Sequence, residues 1–303
     1  MLYICISIQI VVKDRIIFID KDHRYLYGEH ELDSVTTEIS KYSNEFDSMY
    51  QSRCSAYKEL IGPEEYLRLR REVFGFNYRP EDSVIFPLFD VICEVENVEE
   101  IQNRLLHEWE MAGVNGTAFH RDREAESYLR GFEINPFTGA EFPVRFREKQ
   151  YDNESWGLDL FSIPDGYYCE FLVFDAESPL ESTLCGTIDQ LWVETDKKTG
   201  VRYTDTGDYK TNSSPPDQKK YNRMYEPFKH LWSNKLTDYT LQASVYQEML
   251  STHGFTPRES MFTHYTDYDV NQAVEYRLNL LRDEAKLILD IYRKNDKILN
   301  FLY

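Results

Sequence analysis

The sequence predicts an α/β protein with a strand-rich start, a long helical stretch and then strands interleaved with helices. Three observations carry this. A helical hydrophobic period runs through most of residues 38–131. Alternating runs rich in β-branched and aromatic residues take over across 132–210. A helix at 237–252, a strand at 259–265 and a final helix at 270–294 follow.

Residues 1–35 read as β-rich. Strands are expected at 6–12 and 15–19, and at 25–27 before a turn at Gly28. The apolar run at 2–6 is too short to span a bilayer and has no basic leader, so it reads as part of a first strand. No segment reads as transmembrane. Ser34 is placed to cap a short helix with Thr37 and Glu38 in its first turn.

In the helical stretch, Gly62-Pro63 and residues 77–82 are interruptions. Helical pieces are expected at 66–73 and 98–111. Another should start near 114–117 and run to Arg130, with Gly131 as its stop. Strands are then expected at 144–151, 170–174, 184–195 and 201–211, and the turn 196–200 makes a hairpin of the last two.

The 303 residues are 42% hydrophobic and 15% aromatic, enough for a sizeable core. The 53 acidic against 34 basic residues give a net charge of −19, which argues against a general basic groove for duplex DNA. A local basic strip remains compatible with that balance; Arg121, Arg123, Lys219, Lys220, Arg223 and Lys229 are its candidates, and solvated surface charge is the simpler reading of most of them. The five cysteines are odd in number and scattered, with no C-x-x-C pair. That pattern argues against a disulfide framework or zinc knuckle and points to a reducing, cytoplasmic compartment, not to secretion.

The chemistry concentrates on the hairpin. Asp208 and Lys210 are two apart on one strand and share a face, and Asp189 lies on the partner strand. Two carboxylates and the Tyr209 carbonyl could hold Mg2+ or Mn2+ while Lys210 orients water or offsets charge on a phosphodiester. Alone, Asp-x-Lys could equally be an exposed ion pair of little value. His120 and Glu124 lie four apart on a helix, a spacing that suits a metal ligand with a neighbour but also an ordinary surface pair. Gln242 and Tyr246 repeat that spacing and could bind a phosphate or a base, or simply pack.

Taken in order, Gly116-xxx-His120, Gly186-xx-Asp189, Asp208-x-Lys210 and Gln242-xxx-Tyr246 resemble the PD-(D/E)XK nuclease superfamily. The resemblance is to its RecB-type branch, which includes exonuclease V, the mitochondrial genome maintenance exonuclease and many phage-encoded nucleases. It covers residues 113–250, and residues 23–37 are similar to the opening of phage members. It implies a restriction-endonuclease-like core, a mixed central sheet flanked by helices, over 113–303, with a largely helical N-terminal cap or arch over 1–112. It further implies a Mg2+- or Mn2+-dependent DNA nuclease, an exonuclease on single-stranded DNA or DNA ends.

By position, Asp189 and Asp208 would be metal ligands and His120 an added one. Lys210 would be the catalytic lysine, and Gln242 and Tyr246 the substrate-organising pair, with Glu124 at a less specific position. Phage replication, recombination or packaging proteins would be partners, in the host cytoplasm. Some members hold an iron–sulfur cluster on one early and three late cysteines; this chain has no cysteine after Cys185, so a cluster is expected to be absent. The alternative is a catalytically inactive nuclease-fold protein that binds DNA or builds a virion or replication complex. The complete Asp, Asp, Lys set favours the enzyme. A third reading is an acidic adaptor carrying these motifs by chance.

Overall fold

The computed structural model describes residues 15–19, 24–43, 47–74, 87, 89–145, 153–157, 159–212, 216 and 222–299. The expected strand at 6–12, the interruption at 77–82 and most of the strand expected at 144–151 lie outside them.

The chain divides into two units. One joins residues up to 44 with those from 120 to 303, and the other is residues 45–119. The N-terminal strands therefore group with residues 120–303, whereas the expected boundary placed all of 1–112 in a cap. The reason is hydrophobic. Ile16, Phe18, Tyr25, Leu32, Val35 and Ile39 are buried in the same core as Phe171, Ile188, Leu191 and Val245.

In the first unit, β1 (Arg15–Ile19), β2 (Arg24–Tyr27), β3 (His30–Leu32) and β6 (Asn153–Gly157) form an antiparallel sheet in the order β3-β2-β1-β6. Ser34 caps α1 (Val35–Ser40), its side chain accepting from the Thr37 N–H. A small hairpin pairs β4 (Phe132–Ile134) with β5 (Glu141–Pro143).

The central sheet is mixed and five-stranded, ordered β11-β10-β9-β8-β7. Its strands are β7 (Gly166–Phe174), β8 (Cys185–Thr195), β9 (Arg202–Lys210), β10 (Thr256–Tyr265) and β11 (Ala273–Arg277). β7, β8 and β9 are antiparallel neighbours, and β8 and β9 form the expected hairpin. β10 lies parallel to β9 because a helix, α5 (Lys235–Thr252), supplies the crossover between them. Leu241, Val245, Met249 and Leu250 of α5 are buried in the core, joined by Ala285, Ile288 and Leu289 of α6 (Arg282–Leu299). β7 is buried along nearly its whole length, as expected of a strand covered on both faces.

Two expectations need correction in detail. The helix expected from residue 270 starts only at Arg282; residues 273–277 form β11, antiparallel to β10. Helical spacing of Val274, Leu278 and Leu281 competes with the alternation of Val274, Tyr276 and Leu278 here, and pairing along the open side of β10 decides it. The two helices expected at 98–111 and 114–130 are one, α4 (Val95–Arg130). A glycine inside a helix costs only about 1 kcal/mol against alanine, so Gly113 and Gly116 do not break it. Gly131 does end it, at φ +77°, where a side chain would be strained.

The second unit contains α2 (Ser48–Ile61) and α3 (Pro63–Phe74), separated at Gly62. Its core gathers Cys54, Tyr57, Tyr66, Phe89, Cys93 and Val98, with Phe89 stacked 5.1 Å from both tyrosine rings. Among the described residues, no helix is long and apolar enough to cross a membrane.

Candidate metal centre

The β8–β9 register pairs Gln190 with Gly207, so the next step places Asp189 beside Asp208. Asp189 Oδ2 accepts the Tyr209 backbone N–H at 2.8 Å, which ties its carboxylate to the neighbouring strand. His120 reaches the same oxygen from α4, with Nδ1 at 3.2 Å. Of the four residues assigned as ligands, Tyr209 thus has its N–H committed to Asp189, and its phenol accepts from Gln190 Nε2 at 2.8 Å.

Of the expected ligands, His120 and Asp189 gather, and Glu170, which was not expected, joins them. Among the described residues, His120, Glu170 and Asp189 offer donor atoms that all lie within 4.8 Å of one another. Glu170 Oε1 is 3.7 Å from His120 Nδ1. Asp208 adjoins the group but turns one oxygen to Lys210 Nζ at 2.5 Å. Glu170 was missed by sequence reasoning because it sits inside an apolar strand, where a carboxylate reads as an accident. Its backbone has φ +45°, and the β7–β8 pairing skips from Cys169 to Phe171 around it. A lone acid amid eight buried neighbours was the available signal.

Electrostatics follow from crowding. Burial and the neighbouring Asp189 carboxylate push Asp208 up to about 7, against the pull of Lys210. Burial opposes a charge on His120, but Asp189 and Glu170 outweigh it and raise the imidazole to about 11. Burial likewise opposes the Lys210 charge, and Asp208 and Asp189 raise its pKa above the usual lysine value. The cluster favours positive charge in its midst. Asp208 Oδ1 is buried and receives no hydrogen bond from the protein. One imidazole nitrogen, carboxylate oxygens and this unused oxygen are donors of the kinds a divalent cation accepts.

Gln242 and Tyr246 lie on α5, where they bond to each other and to neighbours of the site. Gln242 Oε1 accepts from Lys210 Nζ at 3.3 Å, and its Nε2 donates to Tyr246 Oη at 3.1 Å and Thr36 Oγ1 at 3.3 Å. Tyr246 is buried, with its ring pressed on Gly186. The pair therefore acts inward, holding the lysine. Glu124 is also buried, one helical turn deeper than His120, where its charge helps burial raise the Cys169 thiol to about 12. Tyr246 and Glu124, both expected at the substrate, are buried at 6% and 8% exposure.

The Gly186–Tyr246 contact explains the glycine. A Cβ at 186 would lie 2.2 Å from Tyr246 Cε1. Gly186→Ala is expected to cost about 1–3 kcal/mol, as overpacking does, and to displace Gln242 from Lys210. The midpoint of urea unfolding measures the first effect; an unchanged midpoint would show that the ring yields freely.

Three of the basic-strip candidates have described partners. Arg123 pairs with Glu126, Lys229 with Glu226 at 2.8 Å, and Arg223 stacks 3.6 Å over Trp232. Lys219 and Lys220 lie outside the described residues.

No family model and no curated protein matches the chain. Among solved structures, the crystal structure of SSO0001 is similar over 44% of this chain and 50% of its own, at 13% identity and a TM-score of 0.25. The similarity thus spans about half of that structure's length, and at this level it assigns neither fold nor activity.

Proposed function

We propose that this chain is a Mg2+- or Mn2+-dependent nuclease of the PD-(D/E)XK type, built on a restriction-endonuclease-like core. One observation carries the proposal: an imidazole and two carboxylates gather within 4.8 Å, beside an Asp208–Lys210 pair that leaves one carboxylate oxygen unused. His120, Glu170, Asp189 and Asp208 would hold the ion. When bound, a divalent cation lowers the pKa of water and neutralises phosphate charge. Lys210 supplies a fixed ammonium, held by Asp208 and Gln242, that can donate to the scissile phosphate or to attacking water. The preference for single-stranded DNA or DNA ends rests on the family resemblance.

The test is an end-labelled cleavage assay on single-stranded, duplex and circular DNA with Mg2+, Mn2+ or EDTA. Linear single strands are expected to be cut only with metal, and circles to survive. Asp189→Asn is expected to weaken Mn2+ binding by roughly 100-fold or more, beyond the loss from an outer-shell partner, and to abolish cutting. Cutting in EDTA, or at the wild-type rate by Asp189→Asn, would sink the reading.

A further inference from the structure

Lys210 is held from three sides. Asp208 Oδ2 lies 2.5 Å from Nζ, Gln242 Oε1 lies 3.3 Å away, and the centroid of the Tyr239 ring lies 4.6 Å away. The first two belong to the motifs that singled out this site; Tyr239 does not. It stands three residues before Gln242 on α5, a spacing that turns both side chains to one face.

The ring is itself fixed. Its hydroxyl donates to Asn212 Oδ1 at 2.6 Å, and its edge meets Phe262 at 5.4 Å between centroids and 74°. Asn212 is anchored in turn, because its carbonyl lies 2.7 Å from His264 Nε2. His264 is almost wholly buried, so this support does not wander.

We propose that Tyr239 is a positioning residue for Lys210, its ring face seating the ammonium that acts on the phosphodiester. The assignment rests on the nuclease reading above. An ammonium carries three N–H donors on a flexible four-carbon stem. Asp208 and Gln242 engage two of them. An aromatic face attracts the cation through its quadrupole, yet takes no strong hydrogen bond. It therefore steadies the ammonium and leaves the third donor for the substrate. A hydroxyl or carboxylate in the same place would claim that donor.

The test uses the full chain with Mn2+ and the labelled single strand. Tyr239→Phe keeps the ring and is expected to retain kcat within about threefold, whereas Tyr239→Leu lowers kcat roughly tenfold. KM for DNA and the affinity for Mn2+ should not move in either. Phenylalanines of increasing fluorine content at 239 are nearly isosteric, so they fold where leucine does not. They should lower kcat step by step as the ring quadrupole weakens. A readout independent of cleavage is the ring-current shift of the Lys210 Cε protons, assigned by Lys210→Arg: upfield in wild type and Tyr239→Phe, and lost in Tyr239→Leu. A flat fluorine series, or an unshifted Lys210 signal, overturns the assignment while leaving the nuclease reading intact. A wild type that cuts nothing in any metal overturns both.

Discussion

Lys210→Ala is expected to abolish cleavage, by about 10²–10³-fold at least, while leaving Mn2+ binding within a few-fold of wild type. The separation of the two effects is the informative part. An ammonium has no lone pair to offer a metal, and that of Lys210 sits on Asp208 between Gln242 and Tyr239. On the proposed nuclease reading, removing it would delete charge stabilisation in the transition state, while the donors of His120, Glu170 and Asp189 stay in place. Removing a ligand instead, as in Asp189→Asn, costs the ion itself. Calorimetric Mn2+ titration beside single-turnover cleavage distinguishes these cases. A Lys210→Ala protein cutting at the wild-type rate defeats the assignment. The fold should persist, because the lysine lies near the end of β9 and outside the main hydrophobic core.

Arg293→Met is expected to destabilise the protein by about 3–5 kcal/mol at neutral pH, the cost of stranding one member of a buried charge pair. Asp175, at the end of β7, is fully buried and accepts from Arg293 Nε at 2.7 Å and from its terminal nitrogen at 2.6 Å. Ser178 Oγ adds a third bond at 2.7 Å. Arg293 belongs to α6, so this pair fastens the last helix to the sheet.

The pH dependence follows from the sign of the shift. Burial alone would raise the Asp175 carboxyl, but Arg293 and Ser178 outweigh it and hold it below the usual aspartate value of 3.8. The folded protein then binds this proton more weakly than the unfolded chain. The contribution is complete above pH 3.8 and is lost as pH falls through the lower folded value. In Arg293→Met the stranded carboxyl gains by taking a proton. The stability gap between the two proteins should therefore be widest near pH 7 and narrow in acid. Urea midpoints at pH 7 and pH 3.5 measure this, and a gap independent of pH would mean that lost packing, not charge, is responsible.

Much of the architecture was legible where a residue has a single conformational use. Ser34 could be read as a cap, Gly131 as a stop, and residues 196–200 as a hairpin turn, because each meets a local requirement that does not depend on distant contacts. Residues 273–277 were not legible, since whether they coil or extend is decided by the open edge of β10. The continuity of α4 through Gly113 and Gly116 was hidden for a similar reason, as a small local penalty is offset by the rest of the helix.

The site divides in the same way. Asp189, Asp208 and Lys210 could be found because strand alternation and hairpin pairing are periodic. Glu170 could not, because a backbone irregularity suspends that periodicity where it sits. Gln242 and Tyr246 could be found as a pair, but not their bond to Lys210. The spacing fixes that they share a helix face, while only packing decides what that face meets.

The fit of Tyr246 over Gly186 has a consequence for descent. With 2.2 Å between that ring and any added methyl, position 186 cannot gain a side chain while the ring stays in place. A lineage that gains a side chain at 186 must first, or at once, surrender the aromatic at 246, and with it the hydroxyl that steadies Gln242. The two sites should drift in concert across descendants of this chain. A homologue carrying alanine at the first and tyrosine at the second would reveal a strand that has moved.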